Sequence, residues 1–378
     1  MNRLLATSLA SMLLLLVQAP ALGQQKQISQ KQASQKQSLQ KRADNSRNAQ
    51  AVKQKFAKIQ NDIKRGKVKF IGKKPTFKIQ PNPVLKYSIK QVAGTKIDRN
   101  IRRIAKEQRR IAKSILSVEQ EFVQAAIKRG AYKLPLIPRC ADRARMDWRS
   151  RGKVTPVKDQ GGCGSCANFG VLGAYEGNNA LRNNTTVDGS EQRLLSCARA
   201  NCNGARTSDI AQYMVTTGTS TEAAYPYTAN NSACNAATTT PYDAIAWDFV
   251  GVNRANPTVR ELKNALCAYG PITTTIRATP TLQAYSGGIF NQADNRQVNH
   301  AVTLVGWDDR NGGYWIIKNS WGTDWGENGF GRIAFGSNNV GQWSTWIQAP
   351  LLALRIKPDQ WQKILRERKI PTINRFIR

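Results

Sequence analysis

The sequence predicts an α+β fold of two packed lobes with a cleft between them, carried by the central part of the chain. Three observations point there. After Cys166 the chain runs without proline and sets Phe169, Leu172, Tyr175 and Leu181 roughly on one side, a helical pattern. Further on it reads as strands, at Ile272 to Ile276, Ala301 to Trp307, Tyr314 to Lys318 and Gly331 to Phe335, separated by Gly, Asn and Asp turns. The charge is also unevenly spread. Residues 24–139 carry 30 Lys/Arg against 6 Asp/Glu, residues 140–346 carry 18 against 16, and residues 347–378 carry 8 against 2. The formal charge of +33 therefore belongs to the flanks, and the centre is an ordinary globular segment. At 378 residues the chain has room for two or three domains.

The elements follow in order. Arg3, the apolar run Leu4 to Val17 and the small residues Ala19-Pro20-Ala21 and Ala21-Leu22-Gly23 read as a cleaved secretory signal over 1–23. The run is too short to span a bilayer comfortably, so no stable membrane insertion is expected. The chain is expected to be secreted, extracellular or periplasmic, or delivered to a lysosome- or vacuole-like compartment. Residues 24–139 form a basic segment. Within it, residues 24–50 are of low complexity: Gln25-Lys26-Gln27-Ile28-Ser29 recurs imperfectly to Leu39 with almost no apolar content, and is expected to stay disordered. Residues 97–130 are predicted helical. Ile97, Ile101, Ile104, Ile111, Ile115, Val118 and Phe122 fall mostly at spacings of three, four or seven, and Gly130 stops the run. Leu134-Pro135-Leu136-Ile137-Pro138 reads as an extended linker. A globular domain over 140–346 and a basic tail over 347–378 complete the chain. Trp361 to Lys369 in the tail fits a short basic amphipathic helix.

Export permits disulfides. The cysteines are Cys140, Cys163, Cys166, Cys197, Cys202, Cys234 and Cys267, an odd number, with Cys166 the natural one left over. The other six allow about 15 pairings, and spacing alone does not choose among them. Cys163 and Cys166 are separated by two residues with no second such pair, and His300 is the only histidine, so no zinc ligand set exists and no cofactor is implied.

The chemistry rests on Cys166, His300 and Asn319, in that order. A nucleophilic thiol needs an acidifying environment, which a helix N-terminus and a facing imidazolium supply. Gly161, Gly162 and Gly164 let the backbone turn tightly into a helix opening at Cys166. His300 starts a strong strand pattern, and the Asn319 amide oxygen can fix its tautomer. Trp321 can shield that bond from water. Gln160 can join the Cys166 backbone N–H as an oxyanion donor. Taken singly, each signal is bland: a Cys-x-x-Cys is more often half a disulfide, and a single His more often structural. Their order, with the glycines in place, makes coincidence a poor explanation.

Over about residues 140–346 the chain resembles the papain/cathepsin family. The resemblance is carried by Asp147-Trp148-Arg149, Val154 to Gly161, Cys163-Gly164-Ser165-Cys166, Ser190-Glu191-Gln192, Cys202-Asn203-Gly204, Ala224-Tyr225-Pro226-Tyr227, Tyr285 to Phe290, His300-Ala301-Val302, and Lys318-Asn319-Ser320-Trp321-Gly322 through Gly329. It implies a papain-like fold with a helical left lobe and a β-barrel-like right lobe. It also implies peptide-bond hydrolysis with Cys166 as nucleophile, His300 as acid/base, Asn319 as orienter and Gln160 as oxyanion donor. It implies the bridges Cys163–Cys202 and Cys197–Cys234, leaving Cys140 and Cys267 as a third pair. Gly204 and Ala205 would pair with substrate backbone, and the main side-chain pocket would be lined by Arg206, Thr207, Thr275, Val298, Ala301 and Trp346, with Trp321 beside the site. Exopeptidase members with a His-bearing loop need further histidines, so an endopeptidase acting on peptide or protein substrates is expected.

There are departures. Ala167 stands where the family has Trp, Ala205 where it has a second glycine, and Asn299 where Asp is common. Residues 50–130 show no clear match to the family's prosegment signature, and the tail has no counterpart. The basic segment has two expected roles: covering the cleft as the chain's own inhibitor, and holding an anionic surface or polyanion. The rival for the whole chain is a non-catalytic binding module on a papain scaffold, with polyanion-binding basic flanks.

Overall fold

Backbone pairing in the second half follows the predicted strands closely, because each is a short stretch rich in β-branched or aromatic residues. In this computed structural model, residues 7–97, 100–131, 140–251 and 255–370 are described. The chain divides into two units, Met1–Lys55 and Phe56–Arg378. The described part of the first is helical backbone belonging to α1 (Thr7–Lys64). The Gln/Lys repeat expected to be disordered lies in this helix. Its described side chains are exposed, so it buries no apolar surface of its own. No described helix is long and apolar enough to cross a membrane. The 134–138 linker and the first residues of the signal lie outside the described residues.

In the second unit come β1 (Thr76–Ile79), α2 (Ile89–Val92) and α3 (Ile101–Lys128). α3 occupies most of the stretch predicted helical, and Ile101, Ile111, Ile115 and Val118 are buried along its inner face. Gly130, at φ 69°, ends it in the left-handed conformation that glycine adopts freely. Then follow β2 (Arg145–Asp147), α4 (Cys166–Asn183), α5 (Glu191–Cys197), α6 (Thr207–Thr216), β3 (Ala246–Phe249), α7 (Val259–Tyr269), β4 (Ile272–Ile276), α8 (Pro280–Gln283), β5 (Tyr285–Phe290), β6 (His300–Asp308), β7 (Tyr314–Lys318), β8 (Phe330–Ala334), β9 (Gln342–Gln348) and α9 (Pro358–Glu367).

Among the described residues the strands form one open sheet in the order β1-β5-β8-β7-β6-β4-β9-β3, with β2 pairing on β6. This corrects the barrel-like expectation. The end strands β1 and β3 do not pair with each other, so the sheet does not close. The helical part packs on the sheet through α4, whose neighbours are β4, β6 and β9. The contact is close because glycines face it: a Cβ on Gly173 would meet Thr303 Oγ1 at 2.5 Å, and one on Gly177 would meet Pro271 at the same distance. Two large buried clusters lie among the described residues, with a smaller one at Val305, Tyr314 and Ile316. One of the large clusters holds Trp148, Trp307, Trp315, Trp321 and Trp325 against the sheet, and the other holds Leu172, Tyr175, Leu194 and Ile210 between the helices.

Several motif residues act as fasteners. The Trp148 indole donates to Leu266 O and the Trp325 indole to Leu282 O. Ser190 caps α5 by accepting the Arg193 N–H, and the Gln192 amide holds Asn230 O and Thr228 N. The disulfides are Cys163–Cys202, Cys197–Cys234 and Cys140–Cys267. Cys166 is the free cysteine, and it is buried.

Candidate active site

Cys166 is the first residue of α4, an 18-residue helix, so its sulfur sits where the unpaired N–H groups and the helix dipole favour negative charge. The loop before it turns at Gly161 (φ 59°) and is pinned by the Cys163–Cys202 bridge and by Gly164 N donating to Cys202 O at 2.9 Å. His300 is the first residue of β6, paired in register with Ile276 of β4. Its Nε2 lies 2.8 Å from Asn319 Oδ1, and its ring stacks on Trp321 with centroids 4.6 Å apart. Asn319 Oδ1 also accepts Ser320 N at 2.9 Å, which leaves Nε2 of His300 as the donor and Nδ1 as the nitrogen free for the thiol. Nδ1 makes no well-aligned hydrogen bond, so its contact with Cys166 is chiefly electrostatic. Cys166, His300, Asn319 and Gln160 are all buried.

The pull on Cys166 has identifiable sources. Burial raises its pKa. The His300 ring, the Thr95 hydroxyl and the Ala301 N–H outweigh that and bring it down to about 7. Gln160 is fixed from two sides: its Oε1 accepts the Ser320 hydroxyl at 2.6 Å, and its backbone N–H donates to Ser320 O at 2.8 Å. Its Nε2 is thereby aimed inward, where it donates to Cys163 O at 2.6 Å and to Val92 O at 3.3 Å.

That last contact shows what fills the cleft. Asn82 to Lys96 run through it. The Asn82 amide donates to Gln283 O at 2.7 Å, and Gln283 answers with bonds to Val84 O and Tyr87 O. The Trp321 indole donates to Val92 O at 3.2 Å. Gly94 N donates to Cys166 Sγ at 3.3 Å, and the Thr95 hydroxyl sits 3.3 Å from the same sulfur. Ala205 N donates to Gly94 O at 3.1 Å and Lys96 N to Ala205 O at 2.9 Å, forming a parallel bridge. Glycines make the passage possible: a Cβ on Gly94 would lie 2.0 Å from Gly164 O, and one on Gly204 would lie 1.8 Å from Gly94 O. Outside the cleft, β1 pairs antiparallel with β5. Residues 82–96 carried no recognisable signature. They bind mostly through backbone groups, and the one faint signal was the small-residue run Ala93-Gly94-Thr95 in a Lys-rich stretch.

The predicted substrate residues divide. Ala205 exchanges backbone hydrogen bonds with Gly94 and Lys96, and Gly204 packs closely against Gly94 O without bonding to it. Trp321 covers the His300–Asn319 pair. Thr275 and Ala301 are cross-strand partners beside His300, with the Thr275 hydroxyl donating to Gln342 O, and Val298 is buried two residues before the histidine. Arg206 lies 3.4 Å from Asp209. Trp346 does not belong to this pocket: it stacks on Tyr269 with centroids 4.1 Å apart, beside Asp248 and Arg109. Its place opposite Asp248 in the β3–β9 pairing turns it toward α3. Ala167 is fully buried in the helical cluster.

The model of the papain family cysteine proteases matches residues 143–350. A viral cathepsin of Lymantria dispar multicapsid nuclear polyhedrosis virus is 36% identical over 214 residues, 55% of this chain and 58% of that protein. Digestive cysteine proteinase 1 of Homarus americanus is 36% identical over 208 residues, 52% of this chain and 64% of that one. The chain thus spans roughly three fifths of the length of these curated relatives. The structure of digestive procathepsin L 3 from Tenebrio molitor larval midgut superposes with a TM-score of 0.60 at 27% identity, covering 80% of this chain and 91% of that one. With the family model matching more than half its length, and its cysteine, histidine and asparagine assembled at one helix end, the chain belongs to the papain family of cysteine proteases.

Proposed function

We propose that the chain is the proform of a secreted cysteine endopeptidase. In this reading 1–23 is the signal, 24–139 the prosegment, 140–346 the catalytic domain and 347–378 a tail. The observation that carries it is the set Cys166, His300, Asn319 and Gln160 with the chain's own residues 82–96 lying across it. The Cys166 thiolate attacks a peptide carbonyl carbon, and the C–N bond breaks as His300 gives its proton to the leaving amine. The Cys166 N–H and Gln160 Nε2 face the developing oxyanion. A water molecule, deprotonated by His300, then hydrolyses the acyl-enzyme. Until the prosegment leaves, Val92 O occupies the Gln160 donor, and Gly94 and Thr95 occupy the sulfur.

A complete set of reacting groups favours this over a non-catalytic scaffold. The exposed side chains of residues 40–51 support a further role of the basic flank in holding an anionic surface. The processed chain is expected to cut an unfolded protein at internal bonds. Its rate should fall on the acid side as Cys166 is protonated. Burial is the largest influence on Cys166 and it raises the pKa. Releasing the prosegment removes part of that burial and also the Thr95 hydroxyl that opposes it, so the acid limb reports the balance of the two. Digests analysed by mass spectrometry across pH test this. Cleavage only from chain ends, or a flat profile, would contradict it.

A further inference from the structure

The family match ends at residue 350, and the chain continues into a folded tail. Asn178 Oδ1 accepts Ala349 N at 2.8 Å, and Asn183 accepts Leu352 N at 2.9 Å while donating to Pro350 O at 3.0 Å. Both asparagines stand on α4, so the helix that carries Cys166 at one end anchors the tail near the other. Beyond these anchors the tail arches over a cavity of about 240 Å³ lined by Tyr175, Tyr242, Leu351, Ile356 and Trp361. It then forms α9, with Pro358 in its first turn.

α9 meets the prosegment helix. Trp361 and Leu365 are buried, and the Trp361 ring meets Phe122 of α3 edge-on with centroids 6.4 Å apart. Arg368, just past α9, reaches Glu121 of α3 at 2.7 and 2.9 Å. From its other side α3 is held by the catalytic body. Gln108 donates to Trp247 O, Arg109 to Asp248 and Gly251 O, and Glu119 pairs with Arg182 and Gln348. The prosegment helix therefore lies between the catalytic body and the tail.

We propose that α9 is a docking surface for the prosegment, with α3 as its partner, and that the tail latches the proform shut. The proposal rests on the reading of the prosegment as the inhibitor of the cleft, and it adds a second restraint that the family segment alone lacks. The apolar pair Trp361 and Leu365 carries most of the effect. The Arg368–Glu121 pair is half exposed and adds little.

The test uses the full chain with Cys166→Ala, so that no chemistry enters. Amide hydrogen exchange is compared with and without the added changes Trp361→Ala and Leu365→Ala. Exchange across α3 is expected to speed by about tenfold or more while β6 and β7 keep their protection. Should the double variant misfold, a site-specific protease sequence inserted after the exposed Arg355 lets the tail be cut once the protein has folded, with the same expectation for α3. In the active chain the same changes should hasten prosegment release by a similar factor. Unchanged α3 exchange with α9 loosened or cut overturns the latch. An inactive processed chain instead refutes the peptidase reading and leaves the exchange result standing.

Discussion

Replacing Cys166 with Ala is expected to lower peptide hydrolysis by the processed protein by about 10⁴-fold or more, and His300→Ala by a comparable factor. The two losses should not add, because each removes half of one device: the thiol is acidified chiefly by the charge of His300, which has no other histidine to replace it. Cys166→Ala removes only the weak sulfur contacts with Gly94 N and the Thr95 hydroxyl and no disulfide, so the unfolding temperature of the proform should fall only slightly. Initial rates on an unfolded protein substrate, taken beside calorimetric melting, separate these effects. A Cys166→Ala protein that kept more than about a thousandth of the unmodified rate would remove the thiol from the mechanism.

The second large effect concerns latency. Gly94→Ala places a methyl group where Gly164 O already stands, against backbone that no rotamer change relieves. Overpacking of this kind costs about 1–3 kcal/mol, so the prosegment should hold the cleft roughly 5- to 150-fold less tightly. The full-length Gly94→Ala chain is expected to process itself sooner, and the processed product, which no longer contains residue 94, should have unaltered kcat/KM. The time course of processing from purified proform measures it. An unchanged time course would mean that the approach of Gly94 to Gly164 does not set how firmly the cleft is covered.

Much of the reacting centre was legible in the chain because its groups are chemically rare and locally framed. His300 has no competitor, Cys166 follows a glycine loop, and Asn319 sits between an apolar strand and Trp321. β4 and β7 were legible to the residue, since Ile-Thr-Thr-Thr-Ile and Tyr-Trp-Ile-Ile-Lys are dense in β-branched and aromatic residues and are bounded by Pro271, Gly313 and Asn319. α9 starts three residues before the predicted Trp361 because Pro358, the kind of residue favoured in a first helical turn, belongs inside the helix.

What stayed hidden depends on contacts distant in sequence. β1, Thr-Phe-Lys-Ile, has strand-forming residues but only four of them, between Pro75 and Pro81 in a Lys-rich stretch, and it owes its form to β5, more than 200 residues away. Apart from the Thr95 hydroxyl, residues 92–96 bind through carbonyl and N–H groups, which every residue has, so side-chain types marked them poorly. The openness of the sheet depends on which edges meet, and no strand pattern encodes that. Trp346 was misplaced because β9 alone does not reveal that its partner is β3.

The most direct measurement is alkylation of the processed protein with a thiol reagent, followed by peptide mapping and residual activity on the same samples. Labelling should fall on Cys166 alone, since the other six cysteines are paired, and activity should fall in step with it, reaching zero at one label per chain. The intact proform, with Gly94 and Thr95 against the sulfur, should label far more slowly. Activity that survives complete labelling of Cys166 would contradict the assignment of this thiol as the nucleophile.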